Sequence, residues 1–244
     1  MPTEHWTRGG ALTPGHRDRL LAAGALRDVL DGLALREVTG PLPDWWHENG
    51  NAFYLADDAP VDPELIGHMA LIPFHDALVV LASDLHNLRT LLLGGDGAMV
   101  FVGPDSELTG GEIYCGARST VAINGDITAT RLAQVDARNG GSIVTDPGQL
   151  WAANVYVATD DMHRLEDATS GVRLNTFGAH IRLGRHVWLG RDVIVTGHVE
   201  VGDGSVVGMR SLVRNQKVPS KVAVAGTPAR VIRDNVTWSE PDLP

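Results

Sequence analysis

From residue 177 onward an aliphatic or aromatic side chain returns at every sixth position. Phe177, Leu183, Leu189, Val195, Val201, Val207 and Val213 open seven consecutive blocks, and glycine follows at 178, 184, 190, 202 and 208. A helix repeats its buried stripe near every 3.6 residues and a strand at every second residue, so neither accounts for a period of six. The fifth places hold Ile181, Val187, Val193, Val199, Ser205, Ser211 and Lys217. A short flat strand that ends in a tight corner explains both columns. The aliphatic residue points inward, glycine relieves crowding at the corner, and a small or β-branched residue fills it. Three blocks close a triangular coil of about 18 residues, and coils stack into a parallel β-helix. The expected fold is therefore an all-β solenoid.

The same theme runs upstream with a slip of phase. Val102-Gly103, Leu108-Thr109, Cys115-Gly116 and Val121-Ala122 keep approximately the spacing, and residues 127–158 continue it ambiguously. The pattern assigns residues 76–218 to the β-helix. Between Ala158 and Phe177 the period disappears in TDDMHRLEDATSGVRLNT. A solenoid ejects a loop where something besides coil stacking is required, so residues 159–176 are the candidate functional segment.

Residues 1–75 follow another rule. Thr13-Pro14 reads as a helix N-cap with proline in the first turn. The following HRDRLLAAGALRDVLDGLALREV places Leu20, Leu21, Leu26, Val29, Leu30 and Leu33 near one helical face, with Gly24 and Gly32 weakening it. The pattern predicts a partly helical N-terminal cap, a loop around Trp45-Trp46 plugging the open end of the solenoid, and a C-terminal tail over 219–244.

Composition narrows the setting. Twenty basic against 30 acidic residues give a net charge of −10, which argues against a nucleic-acid surface built from bulk charge. Cys115 is the only cysteine, so no intramolecular disulfide forms, and its place in the pattern points it into the core. The start of the chain has no signal-like apolar stretch, and the longest aliphatic run is too short to span a bilayer. These features predict a cytoplasmic protein.

The ejected loop carries Asp160, Asp161, His163, Glu166 and Asp167. Histidine is the side chain suited to taking a proton near neutral pH, and a carboxylate beside it can fix its tautomer. A solvated acidic turn with an idle histidine stands as the alternative on the residues alone.

The hexapeptide blocks, the stretches TDDMH, DATSGVRLN and IRLGRHVWLG, and the tail VAVAGTPARVIRDNVTW together resemble the left-handed β-helix acyltransferases, most closely bacterial O-acetyltransferases of sialic acids and capsular polysaccharides. The likeness covers roughly residues 90–238. It implies a left-handed parallel β-helix that moves an acetyl group from acetyl-CoA directly to a hydroxyl of a sugar, polysaccharide or related polyol. His163 then matches the general base, with Asp161 beside it, and Trp188 matches the active-site tryptophan. Gly208, Ser211, Gly226, Thr227, Pro228 and Arg230 match the coenzyme A channel. Lys217, Lys221, Arg230 and Arg233 offer charge for its phosphates. The resemblance also implies a homotrimer with sites at subunit interfaces.

Two departures stand out: the spacing from His163 to Trp188 is about one residue longer, and Met209-Arg210 replaces small residues. An N-acetyltransferase acting on an amino sugar or antibiotic is the alternative within the family. A zinc protein of the gamma carbonic anhydrase type is the alternative outside it, since His180 and His198 sit one coil apart, with His186 one block away. The assignment includes no resident metal.

Overall fold

The computed structural model describes residues 7–57, 64–65, 69 and 71–240; the other residues of the cap and tail ranges lie outside them. The cap opens with β1 (Thr7–Ala11), then α1 (Pro14–Ala22), α2 (Arg27–Asp31), β2 (Leu35–Gly40) and α3 (Trp45–Glu48). Thr13 caps α1 as the sequence predicts, its hydroxyl accepting from the His16 N–H at 3.2 Å. The single long helix expected after it is not formed. The chain breaks at Gly24, where φ is +103°, and Leu35–Gly40 pairs as a strand with β1 and with β3 (Ala52–Ala56). A buried amide pins the break. Asn124 donates to the Gly24 carbonyl at 3.0 Å and accepts from the Leu26 N–H at 2.8 Å.

From β3 on, the chain winds around three flat faces. The first face stacks β3, β4 (Leu78–Leu81), β6 (Met99–Val102), β9 (Thr120–Ile123), β12 (Ser142–Thr145) and β15 (His180–Leu183) in parallel. The second stacks β7 (Ser106–Leu108), β10 (Ile127–Ala129), β13 (Gln149–Trp151), β16 (Trp188–Leu189), β18 (Val206–Val207) and β20 (Val222–Ala225). The third stacks β5 (Thr90–Gly94), β8 (Glu112–Gly116), β11 (Gln134–Ala137) and β14 (Tyr156–Ala158). Two long strands, β17 (Ile194–Val201) and β19 (Leu212–Val218), run round the corner from the third face to the first. An antiparallel strand, β21 (Arg230–Asp234), closes the second face on β20. The parallel ladder thus begins at Ala52 and reaches Val224, beyond 76–218 on both sides.

Register explains the slip of phase. Met99 pairs with Thr120 and Thr120 with Ser142, so upstream coils take 21 and 22 residues. Trp188 pairs with Val206 and Ile194 with Leu212, a coil of 18. The hexapeptide count fits only the later coils. Their inward column is uniform: Leu183, Leu189, Val195, Val201, Val207 and Val213 are all buried. Each such side chain contributes on the order of 1.5–3 kcal/mol by burial. The first and last blocks differ from the pattern. Phe177 is exposed at the loop's end, its ring under the Arg173 guanidinium at 4.8 Å. Lys217 faces outward because the final coil is one residue shorter and brings Val218 into the core.

Gly184, Gly190, Gly202 and Gly208, the glycines of the repeat, do not bend the corners. Residues with left-handed backbone do so, in columns. At the corner between first and second faces these are Asp105, Asp126, Gly148, His186, Gly204 and Lys221. The glycine two residues earlier answers a different demand, the close approach of the next coil. A Cβ on Gly190 would stand 2.7 Å from the Met209 nitrogen and 2.9 Å from the Val207 oxygen.

At the N-terminal end Trp46 is fully buried, edge-on to Phe74 with ring centroids 5.6 Å apart. That placement makes it a plug of the stack rather than a ligand-stacking ring. The helices α1 and α2 and the start of β2 cover the outside of the first face over its early coils, packing Leu20, Leu30 and Leu35 on Tyr54, Val80 and Phe101.

Gly190→Ala is expected to lose about 1–3 kcal/mol of stability in denaturant unfolding, because backbone on the next coil must move. Gly15→Ala, in open space in the first turn of α1, is expected to be neutral or slightly stabilising.

Candidate active site

The chain leaves the stack after β14 and returns at β15, while Ser142 still pairs with His180 across the gap. Residues 159–176 are therefore extruded at the vertex between third and first faces without breaking either ladder. The excursion is a small hairpin: Glu166 and Arg173 form an antiparallel bridge, and Leu174 N–H donates to the Leu165 carbonyl at 2.8 Å. Asp167 caps its tip, its carboxylate accepting from the N–H groups of Thr169 and Ser170 and from the Ser170 hydroxyl. Those bonds hold its carboxyl below the usual carboxylate range. At the root, Asp136 is pushed the other way by burial, against the bond it accepts from Arg138 at 2.6 Å.

His163 is exposed on this hairpin, and its ring has no hydrogen-bond or ionic partner among the described residues. Its backbone N–H donates to the Asp161 carbonyl at 2.6 Å, while the Asp161 carboxylate turns away to Arg214, 3.6 Å distant. Within one chain Asp161 does not orient the imidazole. Met162, Leu165, Val172, Leu174 and Phe177 present apolar surface around it, each more than half exposed.

Trp188 stands on the outside of the second face, across the prism from the vertex that carries the hairpin. A neighbour missed in the sequence lies against it. Trp238, from the tail, stacks flat on His186 with centroids 3.8 Å apart and planes 2° from parallel, and lies 6.1 Å from Trp188. The clamp is reciprocal. The Trp238 indole N–H donates to the His186 carbonyl, and His186 Nε2–H donates to the Trp238 carbonyl, both at 3.0 Å.

A groove of about 760 Å³ lies on the later coils of the first face, lined by Ser142, Thr176, His180, His198, Glu200 and Lys217. His180 and His198 do stack on successive coils, with centroids 5.7 Å apart. His180 Nδ1 meets the Ser142 hydroxyl at 2.9 Å, and His198 Nδ1 accepts the His180 backbone N–H at 3.3 Å. Among the described residues no three His, Cys, Asp or Glu side chains converge as metal ligands, and His186 is committed to Trp238.

No family profile matches the chain. The polysialic acid O-acetyltransferase of Escherichia coli O1:K1 is 33% identical over 133 residues, 49% of this chain and 43% of that protein. The galactoside O-acetyltransferase of Escherichia coli K12 is 43% identical over 54 residues, 22% of this chain and 26% of that protein. The matches thus span less than half the length of these curated relatives. The crystal structure of the polySia-specific acetyltransferase NeuO superposes with a TM-score of 0.62 at 27% identity, covering 69% of this chain and 76% of that one. That of the polysialic acid O-acetyltransferase OatWY gives 0.54 at 21%, covering 69% and 83%. The chain has the left-handed β-helix acyltransferase fold. The relatives and structural neighbours that it matches include polysialic acid O-acetyltransferases with a hexapeptide-repeat solenoid.

On this frame the residues that the sequence assigns to a coenzyme A channel divide. Gly208, Ser211, Gly226, Thr227 and Pro228 meet at the vertex between second and third faces. There the Ser211 hydroxyl accepts the Gly226 N–H at 3.0 Å, and the Thr227 hydroxyl donates to the Arg210 carbonyl at 3.4 Å. Arg230 begins β21 beside them and donates to the Ala229 carbonyl. Lys221 occupies the corner between first and second faces. Lys217 lies on the first face, paired with Glu200 at 2.7 Å, across the prism from the tail vertex. No helix among the described residues is long and apolar enough to cross a membrane.

Cys115 lies in the core, its thiol pushed up to about 12 by burial, against backbone hydrogen bonds of Met99 and Val121 that favour the thiolate; the S–H donates to the Ser119 carbonyl at 3.2 Å. Native protein at pH 8 is expected to resist iodoacetamide, whereas protein in denaturant is alkylated once. Mass spectrometry of the intact chain checks both states.

Proposed function

We propose that this protein is an acyl-CoA-dependent O-acetyltransferase that acts on a hydroxyl of a sugar, polysaccharide or related polyol. The observation that carries the reading is the extruded hairpin, which offers an unpartnered imidazole from a fold whose relatives are O-acetyltransferases. The neutral His163 ring takes the proton of the acceptor hydroxyl as that oxygen attacks the thioester carbonyl. The C–O bond forms, the tetrahedral intermediate collapses, and the C–S bond breaks with the thiol as leaving group. The proton passes from the imidazolium to the sulfur. General-base assistance of this kind is typically worth 10²–10⁴-fold. No covalent enzyme intermediate is required.

One prism does not assemble this site. The hairpin leaves at one vertex, whereas Trp188 and the tail vertex lie across the prism, so a second copy brings them together. A homotrimer places each hairpin, with its exposed apolar residues, against the Trp188 face of a neighbour. The thioester then runs along the Gly226–Pro228 vertex, with Lys221, Arg230 and Arg233 near its phosphates. This arrangement is heterologous and closes as a ring. A small-molecule hydroxyl acceptor is the second reading. It is favoured by 34% identity over 61 residues to a chloramphenicol acetyltransferase of Morganella morganii, 25% of this chain and 29% of that protein.

Purified protein is expected to release coenzyme A from acetyl-CoA when neutral glycans, polysialic acid or polyols are supplied. His163→Ala is expected to lower that rate at least ~100-fold with unchanged thermal unfolding. Full activity in the alanine variant assigns the base elsewhere. Light scattering is expected to give the mass of three 26.1 kDa chains. Trimers that mix His163→Ala and Trp188→Ala subunits are expected to regain activity absent from either alone. Failure of the mixed trimers to recover would place both residues in one subunit's site.

A further inference from the structure

The hairpin around His163 is exposed almost throughout, yet beyond Thr159, which is bonded to the Arg138 backbone at the root, two of its polar side chains are buried: Asp160 at 3% and Asn175 at 9% exposure. Burying a polar group is costly unless it is hydrogen-bonded, so what these two bind shows what the loop is built to hold. Both are spent on backbone next to His163. Asn175 donates from Nδ2 to the His163 carbonyl at 2.6 Å and accepts the Leu165 N–H on Oδ1 at 2.9 Å. One amide therefore brackets the peptide units that follow the imidazole. On the other side the Asp160 carboxylate accepts the Met162 N–H at 3.1 Å and ties the loop's root to Asn139 at 2.8 Å and to the Gly178 N–H at 3.3 Å. Met162 between them is held at φ +62°, a backbone state that methionine rarely adopts unaided. The loop's own return is fastened to the same point, since Arg173 donates to the carbonyls of Asn175 and Thr176.

From this geometry we infer that Asn175 is a positioning residue for His163. It acts through the backbone and never touches a reacting atom. The inference rests on the reading of His163 as general base. An amide is suited to the task because it offers a donor and an acceptor on one planar group; the aspartate of equal shape keeps only the acceptor. A base misplaced by about 1 Å can lose on the order of 100-fold in rate, so the grip has a kinetic consequence.

The test compares Asn175→Ala and Asn175→Asp with the wild-type protein. Turnover is expected to fall about 10- to 100-fold in both variants, while KM for acetyl-CoA and the unfolding temperature stay unchanged. In a His163→Ala background the further Asn175→Ala change is expected to cost nothing, because the group it positions is gone. Trypsin is expected to cut after Arg164 faster in both variants, with mass spectrometry locating the cut. Full turnover in Asn175→Ala, multiplicative losses in the double variant, or an unaltered cleavage rate would each overturn the inference. A wild-type protein that transfers no acyl group to any acceptor sinks the functional reading instead; the cleavage rates alone then decide whether Asn175 holds the loop.

Discussion

The contact on which the structure depends is the direct approach of one coil's backbone to the next. Every face is a ladder of parallel hydrogen bonds, and at each corner the chain adopts a left-handed residue that stacks on its counterpart below. Glycine appears where the next coil comes within 3 Å of a missing Cβ, as Gly190 does beneath Met209. Inside, the aliphatic column fills a narrow triangular core; outside, the faces are flat. A flat face is a poor enclosure for chemistry, so any group that must reach a substrate has to be carried away from the wall. The hairpin at 159–176 and the tail that returns with Trp238 are the two departures on the later coils, and they occupy opposite sides of the prism.

Much of this was legible in the sequence where coil length and period coincide. The 18-residue coils after His180 display their inward column without ambiguity, because three blocks of six close one turn. Upstream, one turn takes 21 or 22 residues, so Val102, Leu108, Cys115 and Val121 are all buried as expected, while the count between them drifts. The ends were harder. Phe177 matches the pattern by residue type but belongs to the extruded loop, and Lys217 matches by position but faces outward after a shortened turn. In the cap, the apolar residues of 20–33 do bury one side, but Gly24 breaks the helix and Asn124, a hundred residues away, fixes the break. No local pattern announces a partner that distant.

The candidate site shows the same division. The loop is visible as a failure of the repeat, and His163 stands out in it by chemistry. The parts that arrange it do not. Asp160 and Asn175 read as ordinary loop polar residues until their burial and their bonds to the flanking backbone are seen. Trp238 lies in an irregular tail, and only the fold carries it back onto His186. Asp161, the carboxylate nearest in sequence, faces Arg214 instead of the imidazole. Adjacency along the chain is a weak guide to side-chain pairing in a tight turn, where successive residues point apart.

The seam at Ala158 and Ala179 has an evolutionary corollary. Since β12 and β15 stay in register across it, the solenoid senses only that the two ends meet, not how much chain lies between them. Lengthening such a segment costs little, about 0.6 kcal/mol per doubling of its residues. The scaffold can thus trade one loop insert for another while its own folding energetics stay almost untouched.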